Sequence, residues 1–416
     1  MSYPIATNLT YTAVAATVGL PADTFSYSWA FDDGATGDVA SLAKAWATPG
    51  THTATVTATD NTTGGLASAS KSVFLIDPAM AFTWHDTGKS LTTAASGFAN
   101  FEHGKTFMFG NKLISFGSFY YKQDVNVYDM DLGTLTLYSG VLPSGGFGGV
   151  RLIPAGSLVG KVLLFGNNSG NYGYWDLLTN TYTQISATGG PGRVSSAFSL
   201  PSIAIGDNIL ISWQDYDYAY FPCVFNTTTN TFGTKGTNTY QKWREFFTLP
   251  SGNVLALTDN SDLSAVYNIG TGAITTITGA SGYPGGITDY GVSLPNGKVF
   301  QIGSQYGNTF DESLGSWALG TNRYPYNSQY GGSSSNYYSN YVITPGGDVL
   351  EVGGTVNAGS IFNKPYVVFY STNIGTFSVM GASPIAGAGF CYYYGNKFFA
   401  IQSSNGEIFY SDPWTW

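Results

Sequence analysis

The stretch LPNGKVFQIGS, residues 294–304, decides the fold because close variants of it recur along the chain. Pro295-Asn296-Gly297 is a tight-turn sequence, and the side chains after it alternate as they do along the two faces of a β-strand. The other copies are LPSGNVLALTD from Leu249, TPGGDVLEVGG from Thr344, FGNKLISFGS from Phe109, VGKVLLFGNN from Val159, IGDNILISWQ from Ile205 and YGNKFFAIQS from Tyr394.

The spacing of the copies indicates which architecture is repeated. The turn glycines of successive copies are 50, 46, 46, 45, 50 and 48 residues apart. A period of about 40–50 residues occurs in helical solenoids and in the four-stranded blades of β-propellers. The repeats are dense in Gly, Thr, Ser, Asn, Tyr and Val and contain a turn signal about every 8–12 residues, which is a strand pattern. Seven copies therefore predict a seven-bladed β-propeller.

A second hairpin follows most copies, as in VNVYDMDLGTLTLYSG at 125–140 and SAVYNIGTGAITTITG at 264–279. Along this second hairpin an aromatic residue and an apolar residue are followed by Asp or Asn, then by a turn, and then by Thr-x-Thr. Together the two hairpins resemble the kelch family of propellers over about residues 80–416, although Gly353-Gly354 is the one complete Gly-Gly pair that follows a first hairpin and the closing Trp of kelch blades is mostly replaced. The last copy is one strand short. We predict that residues 81–88, AFTWHDTG, supply that strand and close the ring.

Residues 1–77 carry a different pattern of short alternating strands. They resemble a PKD-type immunoglobulin-like domain through Trp29, Phe31, Asp33 and Gly34, and then Trp46, Pro49, Gly50, His52, Val56, Asp60 and Asn61. Asp32 stands where that family usually has Gly. The resemblance implies that Trp29 fills the sandwich core, that Asp33 accepts hydrogen bonds from local backbone amides, and that the domain is a spacer or adhesive module. A metal site at Asp32 and Asp33 is a weaker alternative.

The expected fold class is therefore all-β, with a small immunoglobulin-like (PKD) sandwich at residues 1–77 and a seven-bladed propeller at 78–416. Only 10% of the 416 residues are charged, and the net charge is −9. Nucleic acid is an unexpected partner, because the chain has four Arg and no basic patch. No apolar run approaches the ~20 residues of a membrane helix, and no Sec signal is recognisable. Cys223 and Cys391 are predicted to be buried free thiols.

A four-stranded meander determines which connections share one end of the propeller. If the strands of a blade are a, b, c and d, the a–b and c–d turns lie at one end, and the b–c connections and the crossovers lie at the other. The first set is short and uniform, whereas the second is long and rich in Tyr. Binding residues concentrate in such loops on rigid scaffolds. The predicted ligand-binding residues are Tyr120, Tyr121, Asp215, Tyr216, Asp217, Tyr218, Tyr306, Tyr324, Tyr326, Tyr330, Tyr337 and Tyr338.

The ligand expected there is a glycan, because Tyr combines a flat apolar ring with a polar tip and loses little side-chain entropy. Asp215 and Asp217 could accept hydrogen bonds from sugar hydroxyls. Two alternatives stay open: the loops only solvate the rim, or this end docks onto another protein, since Tyr is also favoured at protein interfaces.

Enzymatic alternatives are weak at the level of the sequence. A copper radical oxidase and a Ser-His-Asp hydrolase both need His, and the three His lie outside the blade loops. A sialidase needs three Arg around a carboxylate, and no Asp-box recurs. A glycosidase needs two carboxylates on the same end, which Asp215, Asp217, Asp311 and Glu312 could supply if all four lie in the long loops. We expect a non-enzymatic protein with no cofactor and no metal.

The composition resembles that of bacteriophage tail-fibre and decoration proteins, being low in charge, rich in Gly, Ser, Thr, Asn and Tyr, and all-β. The resemblance implies a virion surface protein assembled in the host cytoplasm and present in several copies per particle. Its partners would be other virion proteins and a host-surface polysaccharide. The alternative is a secreted or cell-surface bacterial or archaeal adhesin, and the third possibility is a propeller glycoside hydrolase.

Overall fold

The structure is a computed structural model in which every regular element of the described residues is a β-strand. No helix of the described residues is long and apolar enough to cross a membrane. The described residues are 2–4, 8–14, 24–48, 50–76, 82–91, 106–116, 124–143, 147, 149–153, 158–165, 172–185, 201–214, 220–233, 236, 243–258, 263–278, 291–302, 306–323, 335–337, 341–353, 355–357, 361–363, 366–372, 375–385, 389–402 and 406–414.

The N-terminal region forms a two-sheet sandwich. Its strands are β1 (Ser2–Pro4), β2 (Leu9–Thr12), β3 (Phe25–Phe31), β4 (Thr36–Gly37), β5 (Ser41–Lys44), β6 (Gly50–Asp60) and β7 (Leu66–Ile76). One sheet has the order β1-β7-β6-β3-β4, and the other pairs β2 with β5. Tyr11, Trp29, Phe31 and Trp46 are buried between the sheets and make edge-to-face or stacked ring contacts. The predicted core position of Trp29 is confirmed.

Seven four-stranded antiparallel sheets make up most of the rest of the described chain. The first sheet contains β9 (Thr106–Phe109), β10 (Lys112–Phe116), β11 (Val125–Asp129) and β12 (Thr134–Tyr138), and the second contains β13 (Gly149–Leu152), β14 (Lys161–Phe165), β15 (Tyr172–Asp176) and β16 (Thr181–Ile185). The third contains β17 (Ser202–Ile205), β18 (Asn208–Gln214), β19 (Tyr220–Asn226) and β20 (Thr231–Phe232). The fourth contains β21 (Trp243–Thr248), β22 (Val254–Thr258), β23 (Leu263–Tyr267) and β24 (Ile274–Thr278).

The fifth sheet contains β25 (Val292–Ser293), β26 (Val299–Ile302), β27 (Tyr306–Asp311) and β28 (Ser316–Arg323). The sixth contains β30 (Tyr341–Ile343), β31 (Val349–Val352), β34 (Tyr366–Ser371) and β35 (Thr376–Ala382). The seventh contains β36 (Gly389–Tyr394), β37 (Lys397–Gln402), β38 (Glu407–Ser411) and, as its outermost strand, β8 (Trp84–Ser90) from the start of the region. The strand predicted at 81–88 is thus observed at 84–90.

Buried apolar clusters join each sheet to the next and the seventh to the first. The central strands contribute to both neighbouring clusters, because successive side chains of a strand point to opposite faces. This explains why their sequences are nearly continuous apolar runs. Paired members of the clusters, in order around the ring, are Ile114 and Val162, Leu163 and Ile209, Leu210 and Val254, Leu255 and Phe310, Phe300 and Val349, Leu350 and Phe398, and Phe399 and Leu113. The sheets therefore form a closed β-propeller.

The backbone conformation of the repeated a–b turn explains why its glycine recurs. All seven turn glycines have φ between 56° and 87°, the left-handed region in which a Cβ is unfavourable. In five blades a polar residue at the end of the c strand, or directly after it, accepts hydrogen bonds from backbone amides of the following c–d turn. These residues are Asp129, Asp176, Asn226, Asn268 and Asp311. The turn glycine and this polar residue together account for the periodic part of the sequence pattern.

Two of these glycines should respond differently to alanine. A Cβ on Gly206 would meet nothing within 4 Å, whereas a Cβ on Gly297 would lie 2.5 Å from Cγ of Pro250 in the neighbouring blade. We expect Gly206→Ala to cost ~1–2 kcal/mol of unfolding free energy, from the positive φ alone. Gly297→Ala should cost ~1–3 kcal/mol more, because the turns must separate. Urea unfolding of both variants measures the difference, and equal midpoints would contradict the packing argument.

Cys223 and Cys391 are both buried and neither is in a disulfide, as predicted. Cys223 lies in the cluster between the second and third blades, and Cys391 in the cluster between the sixth and seventh. Burial raises the pKa of the Cys391 thiol well above its usual range. Both side chains therefore act as small apolar core residues rather than as reactive thiols.

Candidate functional site

The two ends of the propeller differ in construction. We call the end with the a–b and c–d turns the turn end, and the end with the b–c connections and crossovers the loop end. At the turn end, neighbouring blades are tied together by side chains. Glu312 in a c–d turn of the fifth blade accepts hydrogen bonds from the backbone N–H (3.0 Å) and the hydroxyl of Ser251, in an a–b turn of the fourth.

Asp311 also lies at the turn end, as the last residue of β27. Its carboxylate contacts Nζ of Lys298 at 2.8 Å, and this hydrogen bond, with a further one from Ser313, lowers the pKa of Asp311 to about 2. The expectation that Asp311 and Glu312 lie in long loops at the loop end is therefore wrong. The sequence of residues 304–316 has the composition of one loop, but residues 306–311 continue the blade as a strand and the acidic pair caps its far end.

Hydroxyl groups make similar ties elsewhere at the turn end. The hydroxyl of Tyr174 donates to Oδ1 of Asn230 at 2.5 Å, which joins the second blade to the third. The hydroxyl of Tyr394 donates to Oδ2 of Asp131 at 2.9 Å, which joins the seventh blade to the first. Several polar side chains at this end are thus engaged in holding the ring together.

The loop end carries an additional three-stranded sheet at the sixth blade. It consists of β29 (Ser335–Tyr337), β32 (Thr355–Asn357) and β33 (Ile361–Asn363), in the order β29-β32-β33. β32 and β33 form a hairpin within the b–c connection of the sixth blade, and β29 comes from the crossover that precedes this blade. The sheet therefore joins two connections that lie at the same end of the propeller, as expected for four-stranded antiparallel blades.

Two predicted binding residues lie in the described part of the chain. Tyr306 is the first residue of β27, opposite Arg323 in β28, so it belongs to a strand and not to a loop, although that strand begins at the loop end. Tyr337 is the last residue of β29 and pairs with Thr355. The remaining predicted residues lie outside the described residues: Tyr120, Tyr121, Asp215, Tyr216, Asp217, Tyr218, Tyr324, Tyr326, Tyr330 and Tyr338.

Asp124 shows how another long connection is attached at the loop end. It is the last residue of the b–c connection of the first blade. Its Oδ1 accepts hydrogen bonds from the hydroxyl of Ser139 and the N–H of Gly140, both at 2.9 Å. These residues begin the crossover to the second blade, so the carboxylate ties the two connections together.

The first strands of the blades surround the central channel, and from the second blade to the seventh successive first strands contact each other. Arg151 in β13 and Glu245 in β21 are charged residues of these strands that were not among the predicted binding residues. Oε2 of Glu245 accepts the N–H of Gly291 at 2.7 Å. Arg151 is partly exposed, and desolvation lowers its pKa to about 10, against the attraction of the Glu245 carboxylate. The available signal was a charged residue inside an otherwise apolar strand, GVRL.

Asp32 and Asp33, the alternative metal site of the N-terminal sandwich, have structural roles. Asp32 accepts hydrogen bonds from Nε1 of Trp46 (3.0 Å) and the N–H of Thr53 (3.1 Å). Asp33 accepts from the N–H of Ala35, as predicted, and pairs with Lys44 at 2.6 Å, which lowers its pKa. The described residues contain no group of three His, Cys, Asp or Glu side chains that could hold a metal ion.

A cleft of about 430 Å³ opens between β2 and β7 of the same sandwich. Trp29, Ala54 and Val56 form part of its lining, and Lys71 is the one charged residue of that lining. The cleft is thus a gap beside the aromatic core with mainly small and apolar walls.

The comparison with family models concerns the sandwich. Residues 5–74 match the PKD domain family. This match confirms the resemblance seen in the Trp29 turn and the Pro49-Gly50 strand, and the sandwich is called the PKD domain below. No curated protein has a sequence that matches the chain.

Solved structures resemble the chain over the propeller. A virginiamycin B lyase from Staphylococcus aureus superposes with a TM-score of 0.53 at 10% identity, covering 79% of this chain and 99% of the lyase chain. A streptogramin B lyase gives 0.54 at 9%, covering 81% and 99%. The β-propeller domain of Cps50 (Swd1) from Myceliophteria thermophila gives 0.51 at 12%, covering 79% and 99%. At such identities the likeness shows the β-propeller fold alone.

Proposed function

We propose that this chain is a non-enzymatic surface protein that binds a glycan through the loop end of a kelch-like, seven-bladed propeller. The observation that carries the proposal is the additional sheet β29-β32-β33, built from two connections at one end. Extra ordered structure at one end of a scaffold is what a binding surface requires, because ligand groups are recognised best from rigid elements.

The contrast between the two ends supports this assignment. The uniform turn end has several polar side chains engaged between blades, as Glu312 and Tyr394 are. The loop end has connections of variable length and is rich in tyrosines, of which Tyr306 and Tyr337 lie in strands. Aromatic rings with polar tips suit the apolar faces and hydroxyl edges of sugars.

That the protein is not an enzyme is supported by the positions of its candidate catalytic carboxylates. A glycosidase needs two Asp or Glu carboxylates that flank the same glycosidic bond. Asp311 and Glu312, two of the four candidates from the sequence, are instead engaged by Lys298 and Ser251 at the turn end. The remaining two, Asp215 and Asp217, suit hydrogen bonding to sugar hydroxyls.

The setting we propose is the surface of a bacteriophage particle, where several copies of a weak site give useful avidity. The support is compositional: low charge with abundant Gly, Ser, Thr, Asn and Tyr. The second candidate is a secreted or cell-surface adhesin. In both settings the PKD domain is the spacer that sets the propeller away from its anchor.

A glycan array probed with the oligomerised full chain tests the proposal. We expect binding to one or more bacterial-surface polysaccharides, and Tyr337→Ala should weaken it about tenfold, a loss of ~1.4 kcal/mol. Tyr394→Ala at the turn end is the control and should bind like the unchanged chain. A chain that binds no polysaccharide, and whose loop end is protected from hydrogen exchange in purified particles, would instead be docked onto a virion protein.

A further inference from the structure

Arg151 occupies an unusual position in the ring. It is the third residue of β13, an innermost strand that starts at the loop end, so it lies within ~7 Å of that end along the strand. Glu245 is the third residue of β21, the innermost strand two blades further round. Both residues therefore lie at a similar depth in strands that surround the channel, toward the end where the connections are long.

The guanidinium of Arg151 has no hydrogen bond and no ion pair within 4 Å in the part of the chain that the structure describes. Its charge is partly desolvated, and the attraction of the Glu245 carboxylate opposes this cost. Arg151 is only partly exposed, and a guanidinium that is partly withdrawn from water without a close partner is unfavourable. An anion entering from the loop end would complete this site.

The charge of Glu245 restricts which anion fits. Its Oε2 is held by the N–H of Gly291, so the carboxylate stays in the channel wall. A doubly charged phosphate beside Arg151 would be repelled by this group, whereas a singly charged carboxylate would gain a planar, two-point contact with the guanidinium at a smaller cost. The chain as a whole carries a net charge of −9, so general electrostatic attraction of a polyanion is not available as an alternative.

We propose that the glycan bound at the loop end is an acidic polysaccharide and that Arg151 binds the carboxylate of one of its sugars at the mouth of the channel. This inference rests on the glycan function proposed above. Arg151 would give the propeller a specificity that the tyrosines alone cannot supply, because an aromatic ring stacks equally well on a neutral sugar and on an acidic one.

The experiment compares matched polysaccharides: polygalacturonate, alginate, hyaluronate and polysialate, each against its carboxyl-reduced form. The full chain should bind at least one acidic form tenfold or more tightly than its reduced form. Arg151→Gln should lose this preference and still bind both forms weakly, and Arg151→Lys should keep part of it. Lys161→Gln, which removes one positive charge from the turn end of the same blade, should leave the preference unchanged. The melting temperature of each variant verifies that it is folded.

A second measurement separates this inference from the proposed function. Sodium D-glucuronate should raise the melting temperature of the unchanged chain but not that of Arg151→Gln, and methyl glucuronate and inorganic phosphate should have much smaller effects. Equal binding of acidic and reduced polysaccharides, or a preference retained by Arg151→Gln, overturns the role of Arg151 and leaves the glycan function standing. Stabilisation by glucuronate through Arg151 without binding to any polysaccharide overturns the glycan function and retains the carboxylate site.

Discussion

A chain that lacks residues 1–90 is expected to aggregate, whereas a chain that lacks residues 1–76 should stay soluble and unfold cooperatively. The difference between the two is the strand β8 and the residues that lead into it. β8 is the outermost strand of the seventh blade and pairs with β38. Its removal exposes a full sheet edge, which is a template for pairing with other chains.

The segment that differs between the two deletions also covers part of the core. Phe82 stacks on Trp414 with ring centroids 4.7 Å apart, and together with Trp84 it covers the cluster between the sixth and seventh blades. His85 contacts the carboxylate of Asp412 at 2.6 Å. Each large apolar side chain that is uncovered costs ~1.5–3 kcal/mol, so the total is a large part of the stability of a typical domain.

Size-exclusion chromatography and thermal unfolding followed by circular dichroism distinguish the two deletions. The shorter deletion removes the PKD domain and is the control for loss of the N-terminal region as such. A monomeric chain without residues 1–90 that melts cooperatively at the temperature of the shorter deletion would show that β8 is not needed to close the ring.

The same closure can be weakened by one substitution. Gly406 has φ +73°, and a Cβ there would lie 2.5 Å from the backbone O of Leu91, the residue after β8. The N–H of Leu91 also donates to the carbonyl of Gly406 at 2.9 Å. Gly406→Ala should therefore displace the end of β8 and lower the melting temperature. Gly395→Ala in the same blade, with positive φ but nothing within 4 Å, measures the backbone strain alone.

The sequence was most informative where the backbone conformation itself depends on the residue type. Gly297 and its six counterparts have left-handed φ values that few other residues adopt, so the period of the glycines is the period of the blades. Asp129 and its counterparts cap the c–d turns, which gives the second hairpin its Asp or Asn. Trp29 could be placed in a core by size alone.

The errors arose where the sequence did not distinguish a strand from a loop. Tyr306 and Asp311 lie at opposite ends of β27, but Gly, Asn and Thr between them give the segment the composition of a loop, and this placed the acidic residues at the wrong end of the propeller. Arg151 was left out of the predicted binding residues for another reason. Its importance depends on lying in the innermost strand and lacking a close partner among the described residues, and neither property can be derived from a local pattern.

The second large effect that we expect concerns Asp348 in the a–b turn region of the sixth blade. Its side chain is fully buried, and Oδ1 accepts hydrogen bonds from the N–H of Thr372 at 2.9 Å and from its hydroxyl at 3.3 Å. Oδ2 has no hydrogen-bond partner in the described part of the chain. Desolvation is the dominant influence and outweighs these bonds, so the pKa of Asp348 rises to about 6.

A raised carboxyl pKa means that the folded state prefers the protonated form. Its stabilising effect is complete below pH ~4, where the unfolded chain is also protonated, and is lost as the pH rises to about 6. Asp348→Asn removes this titration. The unfolding free energy of the variant relative to the unchanged chain should therefore increase between pH 4 and pH 7 by an amount on the order of 3 kcal/mol, since one pKa unit corresponds to ~1.4 kcal/mol.

Asp311→Asn is the matched control, because its pKa is shifted in the opposite direction. Lys298 lowers the pKa of Asp311 to about 2, so the ionised carboxylate stabilises the fold above pH ~4 and that contribution is lost as the pH falls. Asp311→Asn should be less stable than the unchanged chain at pH 7 and approach it in acid. Urea unfolding between pH 3.5 and pH 7 gives both differences. If the Asp348→Asn difference does not change with pH, the Asp348 carboxyl ionises as it does in water, and the turn must admit solvent or a cation to the Oδ2 side.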